Sequence, residues 1–508
     1  MSFLIGLDIG TTSVKCVVFD AQSGRVVDVS SRQTPVEHPR KDWSQHDPQQ
    51  LWQAIAGCLR SVKGRGEMIG LGVSSLADCG VPLDAQMQPL YPIITWYDRR
   101  SEPQAAWWEA QINEGSLHAI TGQRVSPSFG VTKLMWIREN HPELMSRFSR
   151  WLSVPDFVLY RLTGEMMTDY SIASRTLLFD QSELNWSARL LEIAGLERHN
   201  LPPVQPGTTV VGRVTRQAAE ETGLPVGLPC VLGGQDHLCG LLAAGAYQPG
   251  RVVDSTGTAQ AILMLSQRFI SSPQIARQTF ACYGHTLPGF YVFKGGLKAA
   301  GGGLEWLARQ LSGVNANSKL AYAELEAAAR TGVGRKAGPL WLPHLNGAGS
   351  PEADRRSRAA LVGAALEHEA GDVFRGFLEA LAFALRNNVE YMQKYTHQKV
   401  DEVTLIGGGA RFGLLTELKA DVLNKPVSVP EVPEASAVGA ALLAGLGSGA
   451  FKTPEEAFRV LRYQRKLVLP DPRRVEWYDR YFKEVYQPLF SALIATNAAL
   501  ERLNTPGE

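Results

Sequence analysis

Six residues into the chain, the stretch GLDIGTTSVKCVVFD sets a single acid, Asp8, between an apolar run and a turn of Gly10, Thr11, Thr12 and Ser13. A tight turn of this composition aims backbone N–H groups and hydroxyls at one point, and such a concavity binds anions such as phosphate. An aspartate beside a phosphate cradle is repelled unless a cation lies between them. The chemistry implied is therefore a phosphate with a magnesium ion that Asp8 holds through water. The same residues would also serve as an ordinary hairpin with an acid at its mouth. The pattern returns about 245 positions later in GRVVDSTGTAQAILML, where Asp254 precedes Ser255, Thr256, Gly257 and Thr258. A third turn, in VTLIGGGARFGLLTELKADVLNKPVSV, carries Gly407, Gly408 and Gly409 in succession. Three glycines allow very close backbone approach to a ligand, with the N-terminus of the next helix directed at it. A plain strand-to-helix turn needs only one.

These turns need elements to hold them. Residues 3–7 and 14–19 are apolar, β-branched runs bounded by punctuators, which predicts two paired strands with the first turn as their hairpin. Further along, strand patterns alternate with helical ones, the signature of α/β layers with largely parallel sheets. Two strand–turn–strand units of like chemistry predict two similar domains facing each other, with both turns lining the cleft between them. Ligands sit preferentially at such interfaces.

Length agrees, because 508 residues exceed the roughly 250–300 at which a single core stops growing. Hydrophobic residues make up 44% and charged ones 20%, as in an ordinary globular protein. A formal net charge of +1 provides no electrostatic footprint for nucleic acid or an anionic membrane, so small molecules are the expected partners. The six cysteines, Cys16, Cys58, Cys79, Cys230, Cys239 and Cys282, lack CxxC spacing, which argues against a zinc cluster or a disulfide framework and fits a reducing cytoplasm. No basic leader precedes the first strand, and no apolar run approaches the roughly 20 residues of a membrane span.

Together the motifs resemble the FGGY carbohydrate kinases, within the actin, hexokinase and Hsp70 superfamily, over nearly the whole chain. The opening motif is similar to the family's first phosphate loop and DSTGTAQAI to its second, while LIGGGAR with EVPEASAVGAALLAG is similar to its adenosine-binding region. PSFGVTKLMWIREN resembles the first family signature, with Gly130 where Pro, Ser or Thr is usual. AALVGAALEHEAGDVFRGFLEALAFAL matches the second more loosely, departing at Ala364, Gly376 and Phe377. WYDRR, YRLTGE and TDYSIASRTLLFD are also family-like. The resemblance implies an α/β fold of two actin-like (ribonuclease H-like) domains around a catalytic cleft. Residues 1–247 would form the first domain and 248–460 the second, with C-terminal helices over 461–508 packing back.

The implied activity is ATP-dependent phosphorylation of a small sugar or polyol in the cytoplasm. The resemblance leaves a homodimer open. Phosphoryl transfer needs in-line positioning, charge neutralisation and an acceptor for the proton of the attacking hydroxyl. Asp236 in VLGGQDHLCG matches the family's catalytic base, although Asp also favours a helix N-cap and an apolar helix follows. By the same resemblance Asp8 orients Mg2+, and Thr11, Thr12, Thr258 and the amide of Gly257 hold phosphate oxygens. Lys15 would help them or face solvent. Gly408 and Gly409 lie against the adenosine. Gly302, in the run Gly301–Gly303 before a helix, either lies against the nucleotide or serves close helix packing. Asp78 stands where glycerol kinases carry a sugar-binding glutamate, but Ala77 replaces their neighbouring arginine, and the Met-His of typical xylulokinases is missing. Asp78 and Asp98 are the expected sugar contacts, since a carboxylate accepts hydrogen bonds from several hydroxyls. For Asp98 a salt bridge to Arg99 or Arg100 is the alternative.

The acceptor is thus a sugar or polyol of about three to seven carbons, ketopentoses first, with glycerol or another polyol as the alternative. A chaperone-type ATPase of the same superfamily would need a peptide-binding domain, for which the roughly 60 residues after GAALLAG leave no room. A catalytically silent sugar- and nucleotide-binding regulator is disfavoured by the presence of both Asp8 and Asp236.

Overall fold

The computed structural model describes residues 2–62, 66–312 and 318–504. The first sheet is built from β1 (Ser2–Ile9), β2 (Ser13–Asp20), β3 (Arg25–Gln33), β4 (Glu67–Ser75), β5 (Val210–Arg213) and β6 (Pro229–Gln235). The second uses β7 (Arg251–Thr256), β8 (Gln260–Ser266), β9 (Ala281–Gly284), β10 (Tyr291–Leu297), β11 (Glu402–Ile406), β12 (Val427–Pro430) and β13 (Arg465–Val468). Their spatial orders are β5-β6-β4-β1-β2-β3 and β9-β10-β8-β7-β11-β12-β13. In each, a strand pairs antiparallel with its successor across a turn of glycine and threonine and parallel with a later strand on its other side. The five-strand core β3-β2-β1-β4-β6 is therefore repeated as β10-β8-β7-β11-β12, the duplication that the echo of the opening motif predicts.

Position in the sheet explains strand composition. β1 lies between β2 and β4 and is buried over Phe3–Leu7, whereas the edge strand β3 (RVVDVSSRQ) alternates between exposed and half-buried. The lobes are not separate along the chain. Helix α1 (Asp236–Ala243) leaves β6, and helix α2 (Ala435–Gly447), although it follows β12 of the second lobe, lies on the first sheet. Its ASAVGAALLAG sequence is apolar all round, as befits a helix enclosed on every side. The approach is close enough that a Cβ on Gly6 would lie 1.8 Å from the Ala437 carbonyl oxygen, and one on Gly72 2.2 Å from that of Ala440. One apolar cluster then joins Leu4, Val17 and Val231 of the first sheet to Leu238 and Leu242 of α1, Ala437 and Ala441 of α2, and Val253, Leu263 and Val292 of the second sheet.

Beyond residue 460, β13 still belongs to the second sheet, and the helices Pro472–Tyr481 and Gln487–Asn504 follow. Tyr478, Tyr481, Phe482 and Tyr486 pack into the core around Phe377 and Phe383 of that lobe. Among the described residues no helix is long and apolar enough to cross a membrane.

Candidate active site

Near the end of β1, Asp8 is in register with Lys15 of β2 and Ser74 of β4. Asp8 is half-buried there, and its Oδ1 accepts a hydrogen bond from Ser74 Oγ at 2.9 Å. Burial first, and the charge of Asp236 second, push its carboxyl up to about 7. The Ser74 hydrogen bond and the charge of Lys15 offset this only in part. The turn beyond is braced from outside: the Thr34 amide donates to the Thr12 carbonyl (3.1 Å), Thr34 Oγ1 to the Gly10 carbonyl (2.8 Å) and Trp96 Nε1 to Thr11 Oγ1 (3.0 Å). Lys15 does not face open solvent. Its ammonium meets Glu434, at the start of α2, at 2.6 Å.

The second turn looks like the first in sequence and differs in chemistry. Asp254 is fully enclosed. Lys419 Nζ lies 2.7 Å from Asp254 Oδ2, Gln260 Nε2 donates to the same oxygen at 3.0 Å, and Thr256 Oγ1 donates to Oδ1 at 2.9 Å. This neutral, buried cluster supports the turn from below, while Gly257 and Thr258 are exposed at its tip. Ala300 and Gly302 donate their amides to the Thr258 carbonyl, and Gly301 donates to that of Gly257. A Cβ on Gly301 would meet the Gly257 carbonyl oxygen at 2.4 Å. The glycine run, Gly302 included, therefore packs against the turn and fixes it, with those amides committed to it.

The third turn runs from β11 through a 3-10 turn over Gly408–Arg411 to the helix Gly413–Leu423, which carries Lys419. Gly407 and Gly408 expose their backbone, and nothing lies within 4 Å of a Cβ built on Gly408. Gly409 instead packs on Thr256, 2.5 Å from its Cγ2 to the built Cβ, which ties the third turn to the second.

Asp236 is the first residue of α1 and half-buried, and its Oδ1 accepts from the His237 amide at 2.7 Å. It is not the cap. Gln235 holds that position, makes no side-chain cap bond, and accepts from Tyr283 Oη of the second lobe at 3.3 Å. His237 points outward and is exposed.

Asp78 has a left-handed backbone (φ 70°) and binds the Arg175 guanidinium through both oxygens, at 2.9 and 3.1 Å. Lys133, from the FGVTK helix, donates to the Asp78 carbonyl at 2.6 Å and holds that loop in place. Arg175, which the sequence reading passed over, stands near Tyr283 and Asp236 as well. Asp98 is fully buried in an ion pair with Arg100, and the expectation of a sugar contact there gives way to its alternative. Both oxygens are sealed in by Arg100 Nε (2.9 Å) and Nη2 (2.7 Å) and by the amides of Arg100 (2.8 Å) and Ser44 (2.6 Å), with none of the side chain exposed. Its WYDRR neighbours Trp96 and Tyr97 remain exposed, 46% and 38%, beside the first turn.

Comparison with known proteins matches residues 3–243 to the N-terminal domain and 252–448 to the C-terminal domain of the FGGY family of carbohydrate kinases. The chain is 28% identical to the xylulose kinase of Escherichia coli strain K12, covering 96% of this chain and 99% of that one. It is 29% identical to the L-fuculokinase of the same organism, covering 93% and 98%. The crystal structure of a xylulose kinase from Rhodospirillum rubrum superposes with a TM-score of 0.89 at 31% identity, over 98% of this chain and 100% of that one.

Proposed function

The chain belongs to the FGGY family of carbohydrate kinases, and from that premise we propose that it moves the terminal phosphoryl group of ATP to a hydroxyl of a ketopentose such as xylulose or ribulose. The observation that carries this reading is the pairing of Asp8 and Asp236 at the cleft, close enough for one charge to raise the other's proton affinity. In our reading Asp236 takes the proton of the attacking hydroxyl, the role that a positioned carboxylate fills in general base catalysis. Thr11 and Thr12 from the first turn, with Thr258 and the Gly257 amide from the second, hold phosphate oxygens between them. The exposed backbone at Gly408 receives the adenosine side, and Gly409 keeps that turn in register with the second. Gly302 acts through the second turn, which its amide holds. Asp78, oriented by Arg175, faces the sugar.

The donor set around Asp8 is all oxygen and short of positive charge, which suits Mg2+. Asp8 would hold it through water, and the ion when bound would neutralise phosphate charge. Closure of the lobes excludes water and brings the acceptor on the first lobe to the nucleotide on the second.

ADP release with and without a panel of pentuloses, glycerol and L-fuculose tests this reading. Release that depends on a pentulose supports it. Turnover without any sugar would place the chain with simple ATPases, and no turnover with any member of the panel would overturn the reading.

A further inference from the structure

Lys294 lies on β10, opposite Leu263 of β8 and Ala281 of β9. Side chains alternate between the faces of a strand, so it shares the face of Val292, which packs with Tyr283 into the core between the lobes. The side chain thus leaves the second sheet towards the first lobe, and it is half-buried. Three charged groups of the acceptor end act on it: Arg175, Asp78 and Asp236. Arg175 and Asp78 are bound to each other. Lys294 itself makes no hydrogen bond or ion pair with any described residue.

Burial, followed by repulsion from Arg175, lowers its pKa to about 8, which leaves it largely charged at neutral pH. An ammonium has three donors and no acceptor. A half-buried cation without a partner among the described residues is stabilised by a ligand that brings oxygen lone pairs to it.

We propose that Lys294 is the second lobe's direct contact to the acceptor sugar, donating hydrogen bonds to its hydroxyl or carbonyl oxygens. The proposal rests on the kinase reading and deepens it, because the other expected sugar contact, Asp78, comes from the first lobe. A sugar held by both lobes draws them together as it binds. An acceptor lacking the oxygen that meets Lys294 is discriminated against, since the ammonium is then left unpaired in the closed site.

The test measures sugar binding by calorimetry and sugar-dependent ADP release for the parent, Lys294→Met and Lys294→Gln, with D-xylulose and D-ribulose as probes. Thermal unfolding equal to the parent's shows that each variant is folded. Lys294→Met should weaken sugar binding and raise the sugar KM at least about tenfold, with the ATP KM within about twofold of the parent. Lys294→Gln, which keeps a donor, should recover part of the loss. If sugar affinity is unchanged while turnover falls and the acid limb of the rate profile moves, Lys294 acts on Asp236 and the proposal is wrong. Weakened sugar binding in Lys294→Met with no ADP release by the parent would instead sink the kinase reading and leave the sugar contact standing.

Discussion

Replacing Asp8 by asparagine should make the ligand-free protein more stable and at the same time a poorer enzyme. The carboxyl is held at about 7 instead of its ordinary 3.8, chiefly by burial and then by Asp236. At 1.36 kcal/mol per pH unit, that difference corresponds to about 4 kcal/mol against the ionised folded state. Allowing for the solvent that reaches a half-buried group in a cleft, about 2 kcal/mol is a fair expectation. The sign follows from proton counting. Between pH 3.8 and 7 the folded state binds more protons at this site than the unfolded state, so stability falls as pH rises through that window and is lowest above it. Asparagine is neutral at every pH, so its advantage is full at pH 8 and shrinks as pH falls through that window, being smaller at pH 5. For a lobe of about 240 residues, 2 kcal/mol is an upward shift in Tm of roughly 5 °C. Scanning calorimetry of parent and variant at pH 8 and pH 5, without ligands, reads it directly. In kinetics the variant should turn over more slowly and need more Mg2+, with sugar affinity nearly unchanged. A variant less stable than the parent at pH 8, or a gain that does not change with pH, would refute the electrostatic argument. An unaltered magnesium dependence would return Asp8 to the role of a hairpin acid.

Asp236→Asn should fold with near-normal Tm, because Gln235 and not Asp236 occupies the helix cap, and should lose at least about a hundredfold in turnover while still binding ATP and sugar. Turnover within a few-fold of the parent would exclude Asp236 as the base and make His237 the next residue to test. Asp98→Asn leaves the buried Arg100 without its counter-charge and should cost about 3–5 kcal/mol in denaturant unfolding, with the sugar KM of the folded fraction unmoved; a large rise in that KM would return Asp98 to the sugar site. Lys419→Met strands Asp254 in the same way and should be similarly destabilising, whereas Lys419→Met combined with Asp254→Asn should recover much of the loss and still show a raised ATP KM, because the second turn loses its support. Small-angle scattering should show a smaller radius of gyration with nucleotide and sugar together than with either alone, and identical curves in all states would argue against closure.

Local chemistry was legible in the chain wherever one turn carries it. Each of the two threonine turns and the triple glycine lies within a few residues of the apolar runs that hold it, and the structure ties the third turn to the second through Gly409 and Thr256. What escaped was chemistry made by distant partners. Asp8 and Asp254 read alike in sequence, yet Asp8 is half-buried beside the charge of Asp236 and Asp254 is silenced by Lys419, which also bonds Thr256 from 163 positions away. The guanidinium that orients Asp78 comes from 97 positions further on, and a single arginine in TDYSIASRTLLFD carries no local mark of that role. Asp98 pairs with Arg100, one of the two neighbours named as its alternatives, and only burial decides between an ion pair and a sugar contact. Lys294 reads as one polar residue in a strand, and nothing local shows that its face is turned to the other lobe.

The same long-range packing bears on how the reaction is timed. Asp236 begins α1, and further along that helix Leu238 and Leu242 lie in the apolar cluster that joins both sheets. α2 presses on the same helix so closely that a Cβ on Gly439 would lie 2.0 Å from the Cys239 carbonyl oxygen, and its Ser436 hydroxyl donates to the carbonyl of Asp236 itself. Close-packed interfaces move between discrete arrangements and resist gradual deformation. A rotation of one lobe against the other must therefore be taken up around α1 and α2, and the carboxylate at the first turn of α1 moves with them. Asp8 and the first turn sit on β1, against which α2 is also packed through Gly6. Asp236, the base in our proposal, and the first turn are thus built on one closely packed unit, while the second turn, the third turn and Lys294 belong to the other sheet. On the kinase reading proposed above, closure would bring the second and third turns and Lys294 up to Asp236 and the first turn without disturbing the geometry within either unit, which is what in-line transfer requires.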